Sequence, residues 1–314
     1  DRAFSNIESF KVKKGNRIII STPLHHTLAI RLMTMGILLG SEIIFMKKYN
    51  LTNFSKLVKL YNCKFTFFVS NQLIEISKYK KNFTFLKSLN CLVSSSSPLP
   101  LDEKYNLLKY FPKKIYEMYG LSEAAVVSVL KIDKNKQHIN SVGKPIKNVK
   151  VKIDYFKNVN FGEISIKSKY LFLGYFKNNK LKKNNNKGYF KTGDIGFIKN
   201  GYIYFTGRKK NIIKINGISI YLDDIANLLI KKKIVEDCVV TYIETKMSVN
   251  PRICLLFKSN KFNASFIKNF CFKNLPIYQI PTYILKINRI PKNKMKKLNM
   301  VEIKKFIYKK LNIN

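Results

Sequence analysis

Short apolar runs alternate with amphipathic stretches over about the first 120 residues. Runs rich in β-branched and aromatic residues predict buried strands, and apolar positions that repeat every three or four residues predict helices. The predicted elements are strand 17–21, helix 28–39, strand 42–45, helix 53–60 capped by Asn53, strand 64–69, helix 72–78, strand 91–94, helix 101–110 and strand 115–119. This order is typical of an α/β fold with a largely parallel sheet and helices on its faces.

The helical pattern ends near Val126, and short strands follow. They are predicted at 149–153, 163–166, 188–190 and 197–205. Asn200-Gly201 lies between apolar alternations and is a strong hairpin signal. The lysine- and asparagine-rich run 177–187 predicts a solvated loop.

A third pattern begins after Arg208. Its predicted elements are helix 221–232, strands 238–243 and 253–258, and two further helices. We expect this section to form a small α+β domain. The predicted division is an α/β part at 1–125, a β-rich part at 126–209 and a C-terminal domain at 210–314.

Positive charge is spread evenly along the chain. The 314 residues include 59 Lys and Arg against 18 Asp and Glu, a formal net charge of +41. Such a balance can attract nucleic acid or an anionic membrane surface. Residues 211–314 hold 20 basic and 6 acidic residues, nearly the density of the whole chain, whereas a binding face would concentrate the charge. We interpret the charge as a property of solvated surfaces and expect no nucleic acid partner.

Cysteine spacing and hydropathy bear on three further classes: disulfide-rich, zinc-binding and membrane-spanning proteins. The cysteines are Cys63, Cys91, Cys238, Cys254 and Cys271. Their odd number and the lack of C-x-x-C spacing argue against a disulfide framework or a zinc site, and favour core positions in a reducing cytoplasm. The longest apolar stretch, 28–39, contains Arg31 and is too short for a membrane span, so we expect a buried helix and no integral membrane segment.

Four segments combine polar residues with glycine or lysine. They are 119–123 (YGLSE), 189–194 (YFKTGD), 207–217 (GRKKNIIKING) and 291–298 (PKNKMKKL). A glycine after an aromatic residue lets the chain pass close to a flat ligand, and Ser122 and Glu123 can hold phosphate oxygens and a magnesium ion. Asp194 can accept hydrogen bonds from both hydroxyls of a ribose. Taken singly, each segment is more typical of an ordinary turn, connector or basic loop.

In this order, the segments resemble the signatures of the adenylate-forming (AMP-binding) superfamily of acyl-CoA synthetases, adenylation domains and luciferases. The family patterns Y-G-x-[ST]-E, [YF]-[RK]-T-G-D and G-R-x-K-x-x-I-K-x-x-G match almost position for position. Three weaker similarities are 23–26 (PLHH) to a P-x-x-H before the acyl pocket, 95–99 (SSSPL) to a small-residue loop against adenine, and 143–145 (GKP) to a G-x-P turn. Within the superfamily, the chain resembles the acyl-CoA synthetases of the long-chain fatty acid–CoA ligase type.

The resemblance implies roles in nucleotide binding for the first segment. Tyr119 would stack on adenine beside the close turn at Gly120. Ser122 would contact phosphate, and Glu123 would bind Mg²⁺. His26 would border the acyl pocket, although a lone histidine on an apolar approach is as well explained as a core residue.

The resemblance also implies roles for the later segments. Asp194 and Arg208 would hold the ribose diol, and Lys210 would be the hinge of a mobile C-terminal lid domain. Lys214 would serve the thioester-forming arrangement. Lys297 would reach the acyl carboxylate and the α-phosphate during adenylation, where positive charge is needed.

Two departures from the family pattern concern phosphate binding and the late lysine. The glycine-rich T-S-G-T-T-G-x-P-K-type loop is absent; the family places it before Asp1, so the resemblance implies an N-terminally truncated chain of doubtful activity alone. The family usually has glycine where Lys296 stands, so Lys294, Lys296 and Lys297 are all candidates for the late lysine. Lys297 is preferred from its spacing to 290–291.

A third departure lies in the helix after Gly217, where the family favours a glutamate pair. Asp223 and Asp224 stand near that place. These changes leave the expected fold intact.

The implied function is ATP-dependent activation of a carboxylic acid to an acyl-adenylate and transfer to coenzyme A, releasing AMP and diphosphate. ATP, Mg²⁺ and coenzyme A are the implied cofactors and cosubstrates. A fatty acid is the first expectation, because His26 and the apolar helix after it offer nothing to pair a second charge. The alternatives are an adenylation domain that loads a carrier protein, an aromatic-acid–CoA ligase, a basic nucleic-acid or membrane-surface protein, and an inactive fragment.

Overall fold

The computed structural model describes most of the chain. The described residues are 1–78, 84–111, 114–133, 136–157, 159–183, 188–216, 218–244, 250–293 and 297–313. Gly217, Lys294 and Lys296 of the sequence analysis lie outside them. The chain divides into two compact units, the first comprising 1–192 and 196–205 and the second comprising 193–195 and 206–314. The predicted three-part division and the mobility of the C-terminal domain stay predictions.

Strands and helices alternate in the first half of the first unit. In chain order they are α1 (Arg2–Phe10), β1 (Ile18–Ile20), α2 (Thr27–Leu38), β2 (Ile43–Phe45), α3 (Leu51–Leu60), β3 (Phe68–Val69), α4 (Ser70–Lys78), β4 (Cys91–Ser95), α5 (Leu101–Tyr110), β5 (Lys114–Leu121), β6 (Ala125–Ile132) and β7 (Lys144–Pro145). Strands β1 and β2 pair in parallel, as do β3, β4 and β5. Strands β6 and β7 then continue the second sheet in antiparallel fashion. The expected mixture of largely parallel sheet and covering helices is confirmed.

Hairpins form the rest of the first unit and its boundary. The strands are β8 (Val149–Tyr155), β9 (Gly162–Ser168), β10 (Gly174–Lys177), β11 (Lys180–Lys183), β12 (Phe190–Lys199) and β13 (Tyr202–Arg208). Four of them form a sheet in the order β13-β12-β9-β8. Asn200 and Gly201 have φ angles of 53° and 76°, as the two-residue turn between β12 and β13 requires. The predicted hairpin is therefore confirmed.

The expectation of a loop at 177–187 is wrong for its described part. Strands β10 and β11 form an antiparallel hairpin, and Asn178 and Asn179 supply positive φ angles of 49° and 57° at its turn. Residues 184–187 lie outside the described ranges. Strand β11 is exposed along its length, so it lacks the alternation of buried and polar positions by which a strand is recognised in a sequence.

Several helices and strands also differ in their bounds from those predicted from the sequence. The predicted strand 64–69 shortens to β3, although Phe65 forms a parallel bridge to Ile18. Helix α3 is capped by Asn50 and not Asn53, because Asn50 Oδ1 accepts the backbone N–H of Asn53 at 2.7 Å. Strand β6 was not predicted. Its buried run is nearly continuous, since a central strand is covered on both faces.

The second unit is a small α+β arrangement. Its elements are β14 (Ile212–Ile215), β15 (Ile218–Tyr221), α6 (Leu222–Lys231), β16 (Asp237–Ile243), β17 (Arg252–Lys258), α7 (Ala264–Asn274), β18 (Tyr283–Lys286) and α8 (Met300–Leu311). Strands β16, β17 and β18 form one sheet. Leu255 packs in a cluster with α6 and α7, whereas its neighbour Leu256 packs in a cluster with α8. Helices therefore cover both faces, which buries alternate strand residues on opposite sides.

No helix within the described ranges is long and apolar enough to span a membrane.

Native thiols should be unreactive. All five cysteines are buried, and burial raises the pKa of Cys63 to about 11 and of Cys254 to about 12. Because the thiolate is the reactive form, we expect no labelling by an aromatic disulfide reagent at pH 8 before unfolding, and five labelled thiols in guanidinium chloride. Absorbance of the released thiol measures both. Rapid labelling of native protein would contradict the buried positions.

Candidate active site

The segment 119–123 forms the turn at which β5 reverses into β6. The pairing shifts between Tyr119 and Gly120, and Ala125 has a φ angle of 62°. A Cβ atom on Gly120 would lie 2.0 Å from the carbonyl oxygen of Ala125. Glycine is therefore the residue that permits this close approach. The Tyr119 ring lies 6.3 Å from the Phe205 ring, and Ser122 is exposed beyond the strand end.

A guanidinium group holds the backbone of this turn. Arg2 donates to the carbonyl oxygens of Ser122 and Glu123, each at 2.9 Å, and to that of Tyr170 at 2.8 Å. The N–H of Phe172 also donates to the Glu123 carbonyl. Burial lowers the pKa of Arg2, while the nearby Glu123 carboxylate acts in the opposite direction. These contacts hold the backbone of the turn, and none of them uses the side chain of Ser122 or Glu123.

The carboxylate of Glu123 accepts a hydrogen bond from a tyrosine on β10. Tyr175 Oη lies 3.0 Å from Glu123 Oε1, and burial followed by this contact raises the pKa of Tyr175. The carboxylate has a second oxygen that can ligate a cation. Within the described ranges, no group of three or more His, Cys, Asp or Glu side chains could hold a metal ion.

Asp194 and Arg208 lie together in the second unit. Arg208 Nε is 2.6 Å from Asp194 Oδ1, and the two side chains are 47% and 1% exposed. Asp194 lies on β12 and Arg208 ends β13, so the Asn200-Gly201 hairpin brings the two signature segments into contact. The family resemblance implied that these residues act together, and the ion pair places them side by side.

A second carboxylate braces the main chain after Arg208. Asp223, in the first turn of α6, accepts the backbone N–H of Arg208 at 3.1 Å and the side-chain amide of Asn211 at 2.9 Å. A Cβ on Gly207 would lie 2.6 Å from Asp223 Oδ2. The aspartate that stands near the family's glutamate pair therefore ties the connector segment to α6.

The lysines of the later segments are exposed. Lys210 lies in a short 3₁₀ helix (Lys209–Asn211), and Lys214 lies on β14 opposite Ser219. Lys297 is hydrogen-bonded to Asn293. Its N–H donates to Asn293 Oδ1 at 3.1 Å, and its carbonyl oxygen accepts the Asn293 N–H at 2.8 Å. These contacts fix the backbone at Lys297 while its side chain faces solvent.

His26 is the N-cap residue of α2. Its backbone is extended, with φ −93° and ψ 138°, and its half-buried ring lies 4.1 Å from the His25 ring. The structure places it at the start of the predicted apolar helix. Its role in an acyl pocket stays a prediction.

Two residues that contact the candidate site, Arg2 and Tyr175, were not predicted from the sequence. Arg2 and Tyr175 hold Glu123 from 121 and 52 residues away, and no local pattern signals such contacts. Asp223 was noticed only by resemblance. An aspartate is favoured in the first turn of a helix, but this local preference does not tell which segment the aspartate will hold.

The described geometry can be compared with known proteins. Residues 2–176 match the family described as AMP-binding enzyme, and this stretch is more than half of the chain. The chain belongs to the AMP-binding enzyme family. The family resemblance seen in the signature segments is thereby confirmed.

Curated relatives include CoA ligases with different acids in their names. The 2-succinylbenzoate–CoA ligase of Bacillus licheniformis is 24% identical over 308 residues, which cover 94% of this chain and 63% of that protein. The putative long chain fatty acid-CoA ligase VraA of Staphylococcus epidermidis is 25% identical over 294 residues, covering 92% of this chain and 63% of that protein. The chain thus spans less than two thirds of these relatives.

Solved structures share the fold. The O-succinylbenzoate coenzyme A synthetase MenE of Bacillus subtilis, in complex with ATP and magnesium ion, superposes with a TM-score of 0.80 at 21% identity, over 96% of this chain and 64% of that one. ATP-bound MatB of Rhodopseudomonas palustris gives 0.82 at 16% identity, over 98% and 63%. The α/β fold inferred from the sequence is the fold of this family.

Replacing Gly120 by alanine should destabilise the first unit. The added Cβ meets the Ala125 carbonyl, so the backbone must shift, and we expect a loss of roughly 1–3 kcal/mol in the free energy of unfolding. Urea unfolding followed by circular dichroism measures the loss. Gly188→Ala is the matched control, because a Cβ there meets no atom within 4 Å. Equal stabilities of the two variants would refute the close approach.

Proposed function

We propose that the full-length protein is an AMP-forming acyl-CoA synthetase. It activates a carboxylic acid with ATP to an acyl-adenylate, releasing diphosphate, and then transfers the acyl group to coenzyme A, releasing AMP. The observation that carries the proposal is the braced turn 119–123, a complete Y-G-x-[ST]-E signature within the region matched to the AMP-binding family. The relatives are named CoA ligases, which supports coenzyme A as the acceptor of the acyl group.

The first unit would hold the metal and part of the nucleotide. Glu123 is the carboxylate that would bind Mg²⁺, which neutralises phosphate charge during the reaction. Tyr119 would stack on the base, and Ser122 would donate to phosphate. The Arg2 contacts support these roles because they fix the turn's backbone before a ligand arrives. A pre-organised site loses less conformational entropy on binding.

The pair in the second unit would hold the ribose. Asp194 would accept hydrogen bonds from the diol through its carboxylate, beside the Arg208 guanidinium. Since the Asp194 side chain is 1% exposed, this binding requires local opening beside the carboxylate. The Asp223 brace supports the role of Arg208 by fixing its backbone nitrogen.

Lys297 would supply charge to the first half-reaction. The acyl carboxylate attacks the α-phosphorus, a P–O bond to diphosphate breaks, and negative charge accumulates between two anions. A positioned cation lowers this barrier. Lys214 would serve the second half-reaction, in which the coenzyme A thiolate attacks the acyl carbon and AMP leaves. Lys210 would be the hinge between the two arrangements.

Two classes of carboxylic acid have support as the substrate. A fatty or other apolar acid is supported by the apolar residues of α2 and by the name of the Staphylococcus relative. An aromatic acid is supported by the names of the 2-succinylbenzoate ligases and by Arg31 on the same helix, which the charge argument of the sequence analysis overlooked. Arg31 Nη1 lies 3.9 Å from Met118 Sδ, and burial lowers the pKa of Arg31 to about 10.

Diphosphate release separates these possibilities. Assays of the full-length protein with a long-chain fatty acid and with 2-succinylbenzoate identify the acid. Thioester formation with free coenzyme A, against formation that requires a carrier protein, identifies the acceptor. Absence of acid-dependent diphosphate release with every acid tried would reject the proposed function.

In the full-length protein, Lys297→Ala should abolish acyl-adenylate formation. Loss of one positioned charge typically lowers the rate by ~10² to 10³. Thioester formation from supplied acyl-adenylate should stay largely intact, because that step no longer joins two anions. Diphosphate release and thioester formation are measured separately, with the exposed Lys261→Ala as the control. Equal loss of both steps would mean that Lys297 is misassigned.

Asp194→Ala should weaken ATP binding severalfold or more, because the diol loses both acceptor oxygens. Isothermal titration calorimetry on the full-length protein measures the affinity, and thermal unfolding verifies that the variant is folded. Asp194→Asn retains one acceptor and should be affected less. An unchanged affinity in folded Asp194→Ala would remove this residue from the site.

A further inference from the structure

The loop 95–99 lies at the carboxyl edge of the parallel strands. Val69 of β3 pairs with Ser95, and Ser94 of β4 pairs with Glu117 of β5. The carboxyl ends of these strands therefore meet at one edge, and ligands of open α/β sheets bind beyond such an edge. The loop leaves the sheet beside the turn that begins at Tyr119.

Side chains from the first residue of α4 and from β5 hold this loop. On one side, the Ser70 hydroxyl contacts the Ser94 hydroxyl at 3.2 Å and donates to the carbonyl oxygens of Ser95 and Ser97. On the other side, Glu117 Oε1 accepts the backbone N–H of Leu99 at 2.8 Å. The loop is thus fixed at both ends from beneath.

Between these anchors the loop presents small groups to solvent. Ser96, Ser97 and Pro98 are exposed, whereas Leu99 is buried. Ser96 has a φ angle of 79°, a left-handed conformation that residues other than glycine seldom adopt. A backbone in this conformation persists only where surrounding contacts determine it. The Ser70 and Glu117 contacts are such determinants.

Glu117 has a buried partner of its own. It forms an ion pair with Lys104 of α5, and the two side chains are 2% and 5% exposed. Lys104 Nζ also donates to the carbonyl oxygen of Ile139 at 2.7 Å. Burial raises the pKa of Glu117, while Lys104 and the Leu99 N–H oppose that rise. Replacing a buried ion pair by apolar residues is often neutral for stability, so stability alone is a weak reason for this pair.

We propose that Glu117, with Lys104 as its counter-ion, is a positioning residue that holds loop 95–99 in the conformation that receives the base of an adenine nucleotide. The inference rests on the proposed function, which requires ATP to bind here. The pair acts through the loop and touches neither the acid nor the reacting phosphorus. It therefore sets the affinity for the nucleotide and not the affinity for the acid.

The test is a double substitution in the full-length protein, Lys104→Met with Glu117→Leu. It removes both charges together and keeps apolar volume, so no buried ion is left alone. The Leu99 N–H loses its charged acceptor, and we expect the Kd for ATP to rise by about tenfold to a hundredfold. The KM for the acid and the melting temperature should stay close to those of the wild type.

Three further variants sharpen the test. Glu117→Gln keeps an acceptor for Leu99 and should restore much of the affinity. Ser70→Ala removes the opposite anchor and should raise the Kd for ATP in the same direction, which decides the matter if the double variant does not fold. Arg17→Met with Glu42→Leu removes an exposed ion pair that holds no part of the loop and should leave the Kd unchanged.

The outcomes separate this inference from the proposed function. A folded double variant that binds ATP like the wild type overturns the inference alone. Parallel losses in ATP affinity, acid KM and melting temperature also overturn it, because they indicate a merely structural pair. Wild-type protein that binds no adenine nucleotide overturns both the inference and the proposed function.

Discussion

The close approach of Gly120 to the Ala125 carbonyl is the constraint on which the first unit's site depends. It lets β5 reverse into β6 through only three residues, 122–124, and so converts a parallel sheet into an antiparallel one. The reversal leaves Ser122 and Glu123 at the edge where β3, β4 and β5 end. A side chain at residue 120 would widen the turn and move both groups from that edge.

Long-range contacts make this turn rigid. The Arg2 guanidinium occupies the carbonyls of Ser122 and Glu123, which the tight reversal leaves without strand partners. Buried carbonyl groups need hydrogen-bond donors, and a planar guanidinium can serve several at once. The turn and the loop 95–99 are each held by side chains that lie apart from them in the sequence.

Acidic side chains are scarce in this chain, and several of them hold the candidate site. Only 18 Asp and Glu stand against 59 Lys and Arg. Glu117 holds a loop, Glu123 contacts Tyr175, Asp194 pairs with Arg208, and Asp223 braces a connector. Exposed pairs are screened and contribute little, whereas Glu117 and Asp194 are buried and Asp223 acts through a backbone contact. The surplus of positive charge elsewhere is compatible with this arrangement because those lysines remain solvated.

The sequence by itself determined the elements whose signals are local. Helix α5 has the predicted bounds, and the Asn-Gly hairpin forms where expected, because apolar periodicity and turn chemistry act over a few neighbouring residues. The signature segments likewise predicted that Asp194 and Arg208 act together, and the hairpin explains why the two segments meet in an ion pair. The β10–β11 hairpin escaped prediction because it buries no apolar face.

Only the tertiary structure decided what holds those segments. Glu117 meets Leu99 across 18 residues, Tyr175 meets Glu123 across 52, and Arg2 meets Glu123 across 121. These pairs form because the strand order brings the residues together and buries them in the same place. A local sequence pattern specifies neither the strand order nor the groups that become buried together. Local motifs can therefore nominate candidate site residues in the sequence, whereas the residues that hold those motifs become visible only once the chain is folded.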